Sequence, residues 1–139
     1  MNPNDRQIGG SHYSAKVQHW DICGEFDIPY LIGCMTKYLY RYPAKNGMED
    51  IGKAIHYADK WIEIFYNSGR IPARMSQNET YYLKLNESLL EFSKGIHEDV
   101  DSRVREMIVY SLFNWGYMSR EQFVSYRNML QEILDASNN

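Results

Sequence analysis

Apolar positions along the chain recur three and four residues apart, the period of a helix buried on one side, and no stretch alternates long enough to make a strand. The pattern predicts helices over about 16–26 and 29–42, the second with Pro29 in its first turn and Pro43 closing it. From Met48 to Tyr66, a single stripe of Ile51, Ala54, Ile55, Ala58, Ile62 and Phe65 predicts the strongest helix, with "NSG" as its stop signal. "NSGRIPARMSQN", residues 67–78, reads as a break. Beyond it, Tyr82, Leu85, Leu89, Phe92 and Ile96 form a narrow seam suited to one partner helix, in this chain or in another subunit. A helix over about 101–117 carries Val104, Met107, Ile108, Leu112 and Trp115. The last follows Ser119, with Gln122 completing a capping box, and carries Phe123, Tyr126, Leu130 and Ile133.

The expected fold is therefore all-α, a compact helical bundle of about five to six helices. Residues 1–14 are expected as an N-terminal loop folding over it and 15–68 as one helical unit. Residues 79–137 are expected as C-terminal helices that pack on that unit or mediate assembly into a homo-oligomer.

Length and charge narrow the partners. At 139 residues one core is the default. A net charge of -3 and a pI near 5.8 argue against duplex nucleic acid, whose binders carry a strong positive excess. The acid excess lies beyond residue 70, so any basic site must be local. Two cysteines, Cys23 and Cys34, cannot build a disulfide framework, and they sit in apolar runs where a reduced thiol packs as a small hydrophobe. With no apolar leader region and no 18-residue apolar run, the expectation is a cytoplasmic protein with no membrane partner. His19, His56 and His97 show no ligand spacing with cysteine or with one another, so no zinc site is expected.

The segment "NGMEDIGKA", residues 46–54, tests the nucleotide question. Gly47, four residues, Gly52 and Lys53 approach a phosphate-cradling P-loop, but Ala54 lacks the hydroxyl such a loop offers to magnesium. No strand precedes it, and Glu49 and Asp50 would face an anion. As a helix start the same residues are consistent: Asn46 and Gly47 cap, and the two acids suit the positive end of the helix dipole. Lys37 and Arg41, four apart, share a helix face, Tyr38 and Tyr42 share the next, and Lys45 extends the cationic line. Such a set can hold phosphate by charge-assisted bonds and a base against a phenol. It suits equally a solvated basic face with tyrosines packed beneath. The row Asp50, Lys53, Tyr57 and Lys60 reads as an exposed polar face unless it turns toward Lys37 and Arg41. "GGSHY" adds His12 and Tyr13, two donors on an approach loop able to complete a pocket.

The run "GGSHY", then "WDI", then "LIGCMTKYLYRYPAKNGMEDIGKAIHYADKWIE" resembles the SaV-like family of small bacteriophage proteins, over about residues 9–64. Cys34 stands where that family often has Asn, and His19 and Trp20 where it often has a Pro-Ile pair. The family includes a deoxynucleoside monophosphate kinase without a P-loop, so the resemblance implies nucleotides as partners and a site of His12, Tyr13, Lys37, Tyr38, Arg41, Tyr42, Lys45, Asn46, Asp50 and Lys53. In a kinase Lys37, Arg41 and Lys45 would neutralise the transferring phosphoryl group, while Asp50, with Glu49, would hold Mg²⁺ as cofactor. The alternative is a non-enzymatic phage factor that binds a nucleotide or a host protein with the same cations and tyrosines. A third reading, a pyrophosphohydrolase using Glu49, Asp50, Asp59 and Glu63, suffers from the absence of acids on the second helix.

Overall fold

A computed structural model describes residues 16–68 and 77–138, and among these the chain is all helix and turn. Six helices follow in order: α1 His19–Glu25, α2 Tyr30–Leu39, α3 Met48–Trp61, α4 Glu79–Ser93, α5 Ser102–Asn114 and α6 Arg120–Ser137. A 3₁₀ turn, Tyr42–Ala44, lies between α2 and α3, and α3 runs on as a π-helix over Ile62–Asn67. The expected N-terminal loop, with His12 and Tyr13, lies outside the described residues.

The helix starts follow from side chains able to accept orphan amides. Asn78 Oδ1 accepts from Tyr81 N at 3.0 Å to open α4, and Asp101 Oδ1 accepts from Arg103 N at 2.8 Å to open α5. Ser119 Oγ accepts from Gln122 N at 3.1 Å, as its capping position predicts. Pro29 takes the cap position of α2, one residue ahead of the first turn. At α3 the cap is Gly47, whose φ of +59° and ψ of −125° belong to a region open only to glycine. A Cβ there would meet nothing within 4 Å, so any cost is backbone strain alone. Gly47→Ala should therefore lower stability by roughly 2 kcal/mol, read as a fall in thermal midpoint with helicity unchanged; an unchanged midpoint would show that the turn relaxes freely.

Two differences from the sequence pattern have clear causes. First, α2 ends at Leu39, short of Tyr42. Tyr42 is instead buried, its hydroxyl accepting the Asp101 amide at 3.1 Å, which ties the α2 exit to the start of α5. Second, the stretch after Trp61 widens into a π-helix. Residues five apart share a face in that winding, so Trp61 and Tyr66 both reach Phe123 of α6, at 6.4 and 6.0 Å between ring centroids. Tyr66 also donates to the Met118 carbonyl at 2.7 Å.

One core joins both halves of the chain. α3 packs on α6, α2 on α3 and α5, and α4 on α5 and α1. Of the seam residues Tyr82, Leu85, Leu89, Phe92 and Ile96, the last four are buried inside this core, and Tyr82 is half-buried with its ring 5.6 Å from Phe113. Their partner helices are α5 and α1 of the same chain.

Candidate functional site

The outer surface of α2 carries the chemistry. Tyr30, Cys34 and Lys37 follow at spacings of four and three, opposite the buried Ile32, Met35 and Leu39, and Arg41 lies past the helix end in non-helical backbone. Tyr38 lies one position round, toward α3, where its ring stacks on Tyr57 at 5.9 Å with 15° between planes. Tyr30 meets Tyr57 edge-on at 6.4 Å, and the Lys53 ammonium sits 5.2 Å from the centre of the Tyr38 ring. Lys53 and Tyr57 thus do turn toward α2. Proximity to the Cys34 thiol raises the pKa of both Tyr30 and Tyr57 above the usual phenol range, by a hydrogen bond to Tyr30 foremost and by charge at Tyr57. Tyr30 is 75% exposed, the most open ring of the group.

Across α2 from the tyrosines lies a buried histidine. His19 Nε2 is 2.7 Å from Thr36 Oγ1, and the ring stacks on Tyr40 at 5.4 Å with 8° between planes. Thr36 gives its own proton to the Ile32 carbonyl at 2.9 Å, so it accepts from His19 Nε2–H, and the unprotonated Nδ1 lies 3.8 Å from Cys23 Sγ. Burial, then Lys37, then Arg41 push the His19 pKa down from 6.5 to about 4. The imidazole is neutral at pH 7. Nearby, burial and then Cys34 push the Cys23 thiol up to about 11, which keeps it protonated and unreactive.

The remaining expected site residues are not all brought together. Arg41 follows the last turn of α2, its guanidinium carbon 6.0 Å from the Tyr40 ring centre. Lys45 is half-buried in the turn after Ala44, and the Asn46 side chain is exposed. Tyr42 points into the core and offers no face to a ligand. Glu49 and Asp50 diverge, as neighbours on a helix must. Glu49 is exposed and lies 3.8 Å from Lys53, while Asp50 is only 2% exposed and accepts the Asn46 amide at 3.2 Å. That carboxylate caps α3 from within. The pair therefore does not fit a shared magnesium ion, since one member is enclosed and already engaged with the backbone. Among the described residues no group of three or more His, Cys, Asp or Glu side chains is placed to hold a metal ion. The third carboxylate reading fares no better: Asp59 binds Arg127 of α6 at 2.7 Å and Glu63 binds Lys60 at 3.3 Å.

Residues 9–59 match a protein family, DUF3310. It is described as a family of unknown function. No curated protein and no solved structure matches the chain. The DUF3310 segment spans α1, α2 and all of α3 but Lys60 and Trp61, so it contains Tyr30, Cys34, Lys37, Tyr38, Arg41, Lys53 and Tyr57, and it stops before α4. No helix among the described residues is long and apolar enough to cross a membrane.

Sequence reasoning passed over Tyr30 and His19. The four-residue step from Tyr30 to Cys34 to Tyr38 was available as a signal for the first. For the second there was only a histidine in an apolar run, which fits many environments.

Proposed function

We propose that the protein binds a nucleotide or a similar phosphorylated, aromatic ligand on the outer face of α2 and the adjoining edge of α3. The observation that carries the reading is the cluster of phenol rings beside Lys37, Tyr30 and Tyr38 both meeting Tyr57 of α3, with Lys37 and Arg41 each near enough to His19 to act on it. Lys53 adds a third cation across Tyr38, and the exposed ring of Tyr30 offers a stacking surface within the same strip. Phosphate held by an ammonium and a guanidinium is a charge-assisted arrangement, stronger than a neutral one.

The deoxynucleotide kinase implied by the SaV-like resemblance would use the same cations. It also needs a carboxylate that reaches magnesium, and Asp50 is enclosed as a helix cap. Binding without phosphoryl transfer is thus the better supported reading.

Calorimetric titration with nucleoside mono-, di- and triphosphates tests it. The wild type should bind at least one class, and Lys37→Ala with Arg41→Ala should weaken that binding by about a hundredfold, two charge-assisted contacts being lost. Lys84→Ala, an exposed lysine of α4, serves as the control and should change nothing. Failure of the wild type to bind any nucleotide ends this reading, and diphosphate accumulating with ATP and Mg²⁺ would restore the kinase.

A further inference from the structure

The seam that packs inside the chain uses only one side of α4. On the opposite side Glu79, Leu83, Glu87, Leu90 and Lys94 are all exposed. At 100° per residue they fall within an arc of about 80°. Leu83 and Leu90 are 58% and 60% exposed, two large apolar side chains one heptad apart that the described residues leave mostly open. Beside Leu90 a groove of about 520 Å³ opens between α4 and α5, floored by Leu89, Val109, Tyr110 and Phe113. Isolated exposed leucines are ordinary, but two in heptad register on one helix face, one of them lining a groove, make an apolar seam.

We propose that this face pairs with its own copy, α4 antiparallel to α4, in a two-fold symmetric dimer. The argument is charge. Placing the axis between Asn86 and Glu87 sets Leu83 against Leu90 of the second copy, and the same register sets Glu79 against Lys94 of the second copy, each contact occurring twice. A parallel pairing would oppose Glu79 to Glu79 and Lys94 to Lys94, while Glu87 lies beside its own copy in either direction. The two ends of the face, Glu79 and Lys94, are therefore complementary in one direction and repelling in the other. Lys94 now pairs with Glu91 at 2.9 Å, but that pair is exposed and readily exchanged. α4 lies outside the DUF3310 segment, so the inference does not depend on the nucleotide site.

Sedimentation equilibrium of the full chain tests it. The wild type should be a dimer, and Leu90→Glu should raise the dissociation constant by about a hundredfold, burying a carboxylate at the seam. Leu90 is exposed in the monomer, so helicity and thermal midpoint should hold and exclude misfolding. Glu79→Lys and Lys94→Glu should each weaken the dimer several-fold, and the double reversal should restore it, which a merely structural role for either residue would not produce. A wild type that stays monomeric at every concentration, a dimer indifferent to Leu90→Glu, or a double reversal no better than the single ones would overturn the proposal. Association with a different protein through Leu83 and Leu90, with no self-association, would overturn it as well.

Discussion

Lowering the pH from 6.5 to about 4 is expected to remove about 3 kcal/mol of stability through His19 alone, at ~1.4 kcal/mol per pH unit. The sign follows from the depressed pKa. In the folded chain burial, Lys37 and Arg41 disfavour the imidazolium, whereas the unfolded chain takes up the proton near 6.5. The contribution is fully present above pH 6.5, falls as the pH drops and levels off once the folded ring also titrates, near pH 4. Denaturant unfolding at a series of pH values should show this slope, and His19→Gln should flatten it. A wild-type slope that persists in the variant would assign the acid sensitivity to carboxylates instead. The same histidine gives a second readout. An anion bound between Lys37 and Arg41 offsets two of the three causes of the depression, so saturating nucleotide should move the His19 pKa upward, measurable from its ring proton shifts in NMR.

Trp61→Ala is expected to cost about 4 kcal/mol, the largest effect of any single substitution considered. Trp61 is 1% exposed, and its ring lies 4.0 Å from Phe65, 6.3 Å from Trp115 and 6.4 Å from Phe123, centroid to centroid. It is where the end of α3 and its π-helical extension lock onto α6. Removing the indole leaves a cavity that three aromatic rings cannot all move to fill, so the transfer and cavity costs add. The midpoint of thermal unfolding should fall by roughly 10 °C or more. Trp61→Phe should recover a large part of the loss. A cost under about 1.5 kcal/mol for Trp61→Ala would mean that α6 is not held through this contact.

The fold was largely legible because the stripes were clean. Ile51, Ala54, Ile55 and Ala58 announce the buried side of α3 without ambiguity, and all four are buried. Helix ends were harder, since they depend on tertiary partners. Nothing local shows that Tyr42 leaves the helix to receive the Asp101 amide, nor that Tyr66 reaches Phe123 by a π-helical winding. Asn78 caps α4, although by sequence it sits in the expected break. For the candidate site, the four-residue step from Lys37 to Arg41 suggested one helix face, but α2 ends at Leu39 and Arg41 lies beyond it in non-helical backbone. The separation of Glu49 from Asp50 follows from the same helical geometry, but which of the two turns inward is decided by packing. Tyr38 similarly gave no sign that its ring would stack on Tyr57 with the Lys53 ammonium 5.2 Å from its centre.

Two backbone clips fasten the exit of α2 to the far side of the molecule: the His97 amide donates to the Tyr40 carbonyl at 3.1 Å, and the Asp101 amide to the Tyr42 hydroxyl at 3.1 Å. Neither of the two donors belongs to the strip of tyrosines and cations. Their hydrogens nonetheless exchange with solvent only when the turn beside Arg41 lets go. The connector between α4 and α5 is in this way a remote strain gauge for the mouth of α2.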